Sequence, residues 1–79
     1  MQHLASVSVK KFYFRAGVTE SVQAENGFVA TTVGPQCING ECKEALVVTN
    51  GRALWELLAF SRGPASTVEG FIASFQPIG

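Results

Sequence analysis

The sequence contains no aspartate, one histidine, one tryptophan and one tyrosine among its 79 residues. A hydrolytic triad or a zinc site needs several imidazole, thiol or carboxylate groups held close together, yet the only imidazole is that of His3. The pair Cys37 and Cys42 has no second pair to complete a zinc site. Phosphate-loop and dinucleotide fingerprints are absent as well. We therefore expect no catalytic residues, no metal, no cofactor and no enzymatic activity.

Charge of either sign is also scarce, with six basic and six acidic side chains and a formal net charge of zero. A general nucleic-acid binder normally carries a clear basic excess. No apolar run approaches the roughly 18–20 residues that a membrane-spanning helix needs, and the N-terminal residues lack the pattern of a signal peptide. We expect no membrane association, and the neutral charge disfavours nucleic-acid binding. Nothing identifies the location, for which the cytoplasm is the default.

The sequence is rich in apolar residues, which make up 47% of it. This composition is typical of a globular protein, and the length suffices for one small core. We therefore expect residues 1–79 to form a single small domain.

The dipeptide Asn-Gly occurs at positions 26–27, 39–40 and 50–51. Between strand-like flanks, Asn-Gly predicts a two-residue β-hairpin, because both residues suit the positive φ angles of a type I′ turn. The first turn pairs Ala24 with Val29, and the second pairs Val33 with Leu46. These registers predict one shared apolar face on three strands. Residues 34–35, Gly-Pro, predict a bend or bulge in the middle strand.

A further strand is predicted over residues 4–14, where apolar and polar side chains alternate. The alternation changes phase near Lys10 and Lys11, and a β-bulge there would restore one apolar face. With this strand the predicted sheet has four antiparallel strands in chain order.

Two short helices are predicted after the sheet. Residues 52–61 are good helix formers without strict alternation, and Asn50 is the expected cap. Residues 66–75 begin with the capping-box spacing of Ser66 and Glu69, and an apolar stripe follows. The predicted fold class is α+β, a four-stranded antiparallel meander followed by two short helices packed on one face (ββββαα). The predicted core comprises Val22, Val29, Val33, Leu46, Val48, Leu54, Leu57, Leu58, Val68, Phe71, Ile72 and Phe75.

The two cysteines flank the second predicted turn. Cys37 and Cys42 would face each other as a pair without mutual backbone hydrogen bonds, with Cα atoms about 4.5 Å apart, inside the range that a disulfide tolerates. A disulfide and two free thiols in a reducing compartment are equally compatible with the sequence, because nothing else identifies the compartment.

One segment combines basic and aromatic side chains. In a strand, Lys11, Tyr13 and Arg15 would share a face, and a ring between two cations is a platform for stacking a nucleic-acid base. The alternative is a solvated face opposite buried neighbours. Phe28 lies on the otherwise polar face of the first hairpin, so we expect Lys11, Tyr13, Arg15 and Phe28 to form a partner-binding surface.

Taken together, these features favour a non-enzymatic module that binds a protein partner. We expect a small inhibitor of the kind that phages and mobile elements encode, acting by occlusion of a host protein. Two alternatives stay open. One is a single-stranded nucleic-acid-binding protein that uses the basic-aromatic strand, and the other is a self-associating structural protein.

Overall fold

A computed structural model describes residues 2–75 of the chain, with side chains from residue 8 onward. The elements are α1 (Gln2–Tyr13), β1 (Glu20–Glu25), β2 (Phe28–Ile38), β3 (Glu41–Thr49), β4 (Leu54–Ser61) and α2 (Ala65–Ala73). The strands form one antiparallel sheet in the order β1-β2-β3-β4. The class is therefore α+β with a four-stranded meander, as predicted. Neither helix in this part of the chain is long and apolar enough to cross a membrane.

Both predicted Asn-Gly hairpins are present. Asn26 and Asn39 each have a φ angle of 53°, and the glycine after each is also at positive φ, as a type I′ turn requires. Ala24 pairs with Val29 across the first turn, which confirms the register predicted for β1 and β2.

A bulge in β2 changes the register predicted for β2 and β3. The pairing shifts between Val33 and Gln36, so that Val33 lies opposite Ala45 rather than Leu46. Because a shift of one residue moves a side chain to the other face of a sheet, Leu46 and Val33 face opposite sides. The irregularity at residues 34–35 was predicted, but its effect on the buried face was not.

Strand β3 is buried on both of its faces. Ala45 and Val47 pack beneath α1, whereas Leu46 and Val48 pack beneath α2. The first cluster comprises Val9, Phe14, Val33, Ala45 and Val47, and the second comprises Cys42, Leu46, Val48, Ala59, Val68 and Ile72. The two helices therefore cover opposite faces of the sheet, not the one face that was predicted.

The segment predicted as the first strand is the helix α1. The strand prediction required a bulge near Lys10 and Lys11 to account for the change of phase, and a helical period needs no such correction. Val9 is buried against the sheet, while Phe12 is 73% exposed. Among the described side chains of the helix, those of residues 8–13, only that of Val9 is buried.

The segment predicted as the first of the two C-terminal helices is instead strand β4, paired with β3 along its whole length. The third Asn-Gly lies in the β3–β4 connection, where the Asn50 Oδ1 accepts hydrogen bonds from the backbone N–H groups of Arg52 and Ala53, both at 2.9 Å. The predicted cap residue thus stabilises a turn between strands. A helix here would have left one edge of the buried strand β3 without backbone partners.

The last helix lies close to its prediction. Helix α2 begins at Ala65, one residue before the predicted cap Ser66, and no side chain caps it. Val68 and Ile72 are buried as expected. Of the predicted core, however, three residues are exposed: Val22, Leu54 and Phe71.

We predict that Gly34→Ala destabilises the fold far more than Gly40→Ala. Both glycines are at positive φ, but a Cβ at Gly34 would lie 2.9 Å from the backbone oxygen of Lys43, whereas a Cβ at Gly40 meets open space. We expect Gly40→Ala to lower the free energy of unfolding by about 1 kcal/mol, and Gly34→Ala by about 3 kcal/mol. Urea denaturation measures both, and equal losses would contradict the close approach at the bulge.

Candidate functional site

The four residues predicted to bind a partner do not form one surface. Lys11, Tyr13 and Arg15 are exposed at and just after the end of α1. Lys11 and Arg15 line one depression, whereas Tyr13 lines a different one together with Val9 and Leu58. Phe28 is half-buried on the other face of the sheet and packs against Trp55, with ring centroids 6.1 Å apart. Phe28 therefore packs with Trp55 on the α2 side of the sheet, and the sheet separates it from the other three.

The basic residues gather around the end of α1 and the second hairpin. Two adjoining depressions are lined by Lys10, Lys11, Arg15, Lys43 and Arg62. Part of this charge is compensated, since Lys10 forms an ion pair with Glu20 at 3.1 Å and Glu41 lines the second depression. We call this region the basic end.

Gln36 fixes the backbone of the basic end. Its side-chain oxygen accepts a hydrogen bond from the Arg15 N–H at 2.9 Å, and its Nε2 donates to the Arg15 carbonyl at 3.2 Å. Gly34 N–H also donates to the carbonyl of Thr19 at 2.8 Å. The bulge of β2 therefore holds the connection between α1 and β1 against the sheet.

Cys37 and Cys42 are joined by a disulfide, with Cα atoms 4.0 Å apart. They pair directly across the second hairpin, in the position that the predicted register gave them. The bond closes the hairpin tip next to the basic end.

The outer edge of β4 is an apolar free edge. Within residues 2–75 no backbone hydrogen bond leaves this side of the strand, and Glu56 is its only charged residue. Phe60 is 58% exposed and Phe71 of α2 is 57% exposed, and both line a shallow depression along the edge. The opposite edge strand, β1, is polar, with Glu20 and Glu25 at its two ends. The two edges of the sheet thus differ sharply in chemistry.

An open groove of about 680 Å³ lies between α2 and β1. Helix α2 packs mainly over β3 and β4, so the adjoining part of the same sheet face stays uncovered. Ala30 and Leu46 lie in the floor of the groove, Ile72 and Phe75 line its helix side, and Glu25 of β1 lines the other side. We call this region the α2 groove.

Glu44 of β3 lies in the α2 groove and is only 4% exposed. Within the described part of the chain its carboxylate has no hydrogen-bond or ion-pair partner. Burial raises the pKa of the Glu44 carboxyl group, and the negative charge of Glu69 on α2 raises this pKa further. The ionised form of Glu44 is therefore disfavoured in the folded protein.

Sequence reasoning missed Glu44 and the β4 edge. The signal for Glu44 was present, since a period of two places it on the same face as the buried Leu46 and Val48. The β4 edge had no such signal, because it exists only if residues 54–61 form a strand.

The described residues contain no group of three or more His, Cys, Asp or Glu side chains that could hold a metal ion. No family model matches this chain, and neither a curated protein nor a solved structure is significantly similar to it. The function of the protein therefore has to be inferred from the surfaces described above.

We predict that Phe28→Ala destabilises the protein by about 2 kcal/mol, less than the full cost of truncating a completely buried phenylalanine. The ring packs against Trp55 and the core cluster on the α2 side of the sheet, so its loss should also change the fluorescence of the only tryptophan. Phe12→Ala is the matched control, because its exposed ring should contribute within about 0.5 kcal/mol. An unchanged thermal midpoint for Phe28→Ala would assign the ring to a free surface instead.

We also predict that Glu44→Gln stabilises the protein at neutral pH by on the order of 1 kcal/mol. Because the folded-state pKa of Glu44 is raised, its contribution to stability is largest below the ordinary carboxyl pKa and is lost as pH rises through the raised value. The gain from Glu44→Gln should therefore vanish in acid. Urea denaturation at about pH 4 and about pH 7.5 measures this difference, with exposed Glu41→Gln as the control. A destabilised Glu44→Gln at neutral pH would indicate a stabilising partner for the carboxylate.

Proposed function

We propose that this chain is a non-enzymatic protein-binding module that adds an extended segment of a partner protein to its sheet at the outer edge of β4. In strand addition, backbone hydrogen bonds to a free edge supply affinity, and pockets for alternate side chains supply specificity. Such a module would inhibit a partner by occupying the segment it binds.

The apolar, unprotected character of the β4 edge is the observation that carries this proposal. Proteins usually protect a free edge with proline, lysine, bulges or short strands, because an open edge pairs readily with other chains. Strand β4 is eight residues long and has no proline, lysine or arginine. Phe60 of this strand and Phe71 of α2 add exposed aromatic surface, and aromatic residues are enriched in binding hot spots.

Single-stranded nucleic-acid binding is the second candidate, supported by the gathering of basic side chains at the basic end. This support is weaker than that for a protein partner. Base stacking needs exposed aromatic rings among the cations. Of the aromatic residues at the basic end, only Phe14 lines the depressions, and its ring is buried and therefore not available for stacking.

We predict that Phe60→Lys abolishes strand addition without loss of stability, because the ring is exposed and a lysine is a natural protection of an edge. Peptides selected from a random display library on the immobilised protein provide the ligand. Their affinity should fall at least about tenfold for Phe60→Lys, as for a modest hot spot, and the outward amides of β4 should become protected from hydrogen exchange on binding. Val22→Lys is the matched control, since Val22 is 62% exposed on the opposite edge strand.

Two results would contradict this proposal. Selected peptides that bind the Phe60→Lys variant with unchanged affinity would locate the contact elsewhere. A stable dimer in light scattering that Phe60→Lys converts to monomer would assign the edge to a second copy of the chain.

A further inference from the structure

The α2 groove contains an anionic group for which the described protein supplies no partner. Glu44 is almost completely buried, and within residues 2–75 neither a cation nor a hydrogen-bond donor contacts its carboxylate. Buried carboxylates in proteins are normally paired, because an isolated charge in an apolar environment is costly. Since Glu44 lines an open groove, a bound ligand can supply the missing partner.

The charges of the groove select a cationic ligand. Glu25, Glu44 and Glu69 line it, three of the six acidic residues of the chain, and none of the six lysine and arginine residues does. The negative charge therefore acts over an apolar surface, where water screens it less than on an open surface.

The shape and donor set of the groove favour an organic cation over a metal ion. Calcium and magnesium need six or more oxygen ligands, and no three carboxylates among the described residues, those of the groove included, are placed so that they could hold a metal ion. The apolar lining, which includes Phe28, Leu46 and Phe75, suits an aliphatic or aromatic body attached to the charged group. An open groove along a sheet buries too little of a small molecule for tight binding, whereas an extended peptide can lie along it.

We propose that the α2 groove binds a peptide segment of a partner protein through an arginine or lysine side chain that pairs with Glu44 and Glu69, while apolar residues beside it contact Phe28, Leu46 and Phe75. This site is separate from the β4 edge and does not depend on strand addition there. The ionised form of Glu44, disfavoured in the free protein, is restored when the cation binds.

A matched pair of synthetic peptides tests this site. Acetyl-Thr-Leu-Arg-Leu-Thr-amide carries the cation, and the same peptide with citrulline in place of arginine has nearly the same shape without the charge. We expect the arginine peptide to bind at least about tenfold more tightly in titrations of nitrogen-15-labelled protein followed by NMR. The backbone signals that move should include those of Ala30, Leu46 and Ile72.

Protein variants supply the second arm of the test. Glu44→Gln should weaken the arginine peptide by about tenfold and leave the citrulline peptide unchanged. Glu41→Gln, at an exposed turn, should bind both peptides as the natural protein does. Glu69 is an exposed residue of α2 that lines the groove. Glu69→Gln should therefore also weaken the arginine peptide, in a variant that does not alter the core. Phe60→Lys should leave both affinities unchanged, which separates this site from the β4 edge.

Four results would overturn the proposal. The first is equal affinity of the two peptides, and the second is unchanged affinity in Glu44→Gln and Glu69→Gln. The third is binding of butylguanidinium as tight as that of the peptide, which would assign the groove to a small ligand. The fourth is a concentration-dependent oligomer that Glu44→Gln dissociates, which would assign the groove to a second copy of the chain.

Discussion

Strand β3 is enclosed on all four sides, and the rest of the fold follows from that enclosure. Strands β2 and β4 pair with its two edges, while α1 and α2 cover its two faces. Val47 is completely buried, and burying such a side chain contributes about 1.5–3 kcal/mol. A strand that is apolar on both faces needs a cover on each, and its backbone groups need a strand on each edge. This requirement explains why a segment with strong helix propensity forms β4.

The fold class and the first two hairpins could be predicted because their signals are local. Asn-Gly at positions 26–27 and 39–40 determines both turn geometry and register. The assignments of residues 4–14 and 52–61 failed because they depend on distant partners. The Asn50 side chain accepts hydrogen bonds from the N–H groups two and three positions ahead, which is also what a helix cap does. Only pairing with β3 makes residues 54–61 a strand rather than a helix, and the local sequence of this segment does not reveal that pairing.

The candidate surfaces, too, could be predicted only where their signals are local. The face that carries Glu44 follows from alternation along β3, whereas the groove around it depends on the bulge in β2. Because the register shifts between Val33 and Gln36, Thr32 rather than Val33 lies opposite Leu46 on the α2 side. Phe28 was recognised as unusual on a polar face, but the ring against which it packs, that of Trp55, belongs to the segment that was predicted as a helix. An unpaired buried carboxylate generally costs stability, and proteins often retain such groups where they are needed for binding.

The separation of charge has a consequence for how the whole molecule behaves in an electric field. The basic end adjoins α1 and the second hairpin, and the acidic α2 groove lies on the other side of the sheet, so a chain with no net charge has a permanent dipole. At low ionic strength such molecules attract one another with opposite poles in contact, and the same protein adsorbs to both anion- and cation-exchange resins. At about 0.1 M salt the Debye length is about 10 Å, shorter than each of the molecule's three principal extents of 37, 24 and 15 Å. Salt then screens the positive and the negative region from each other.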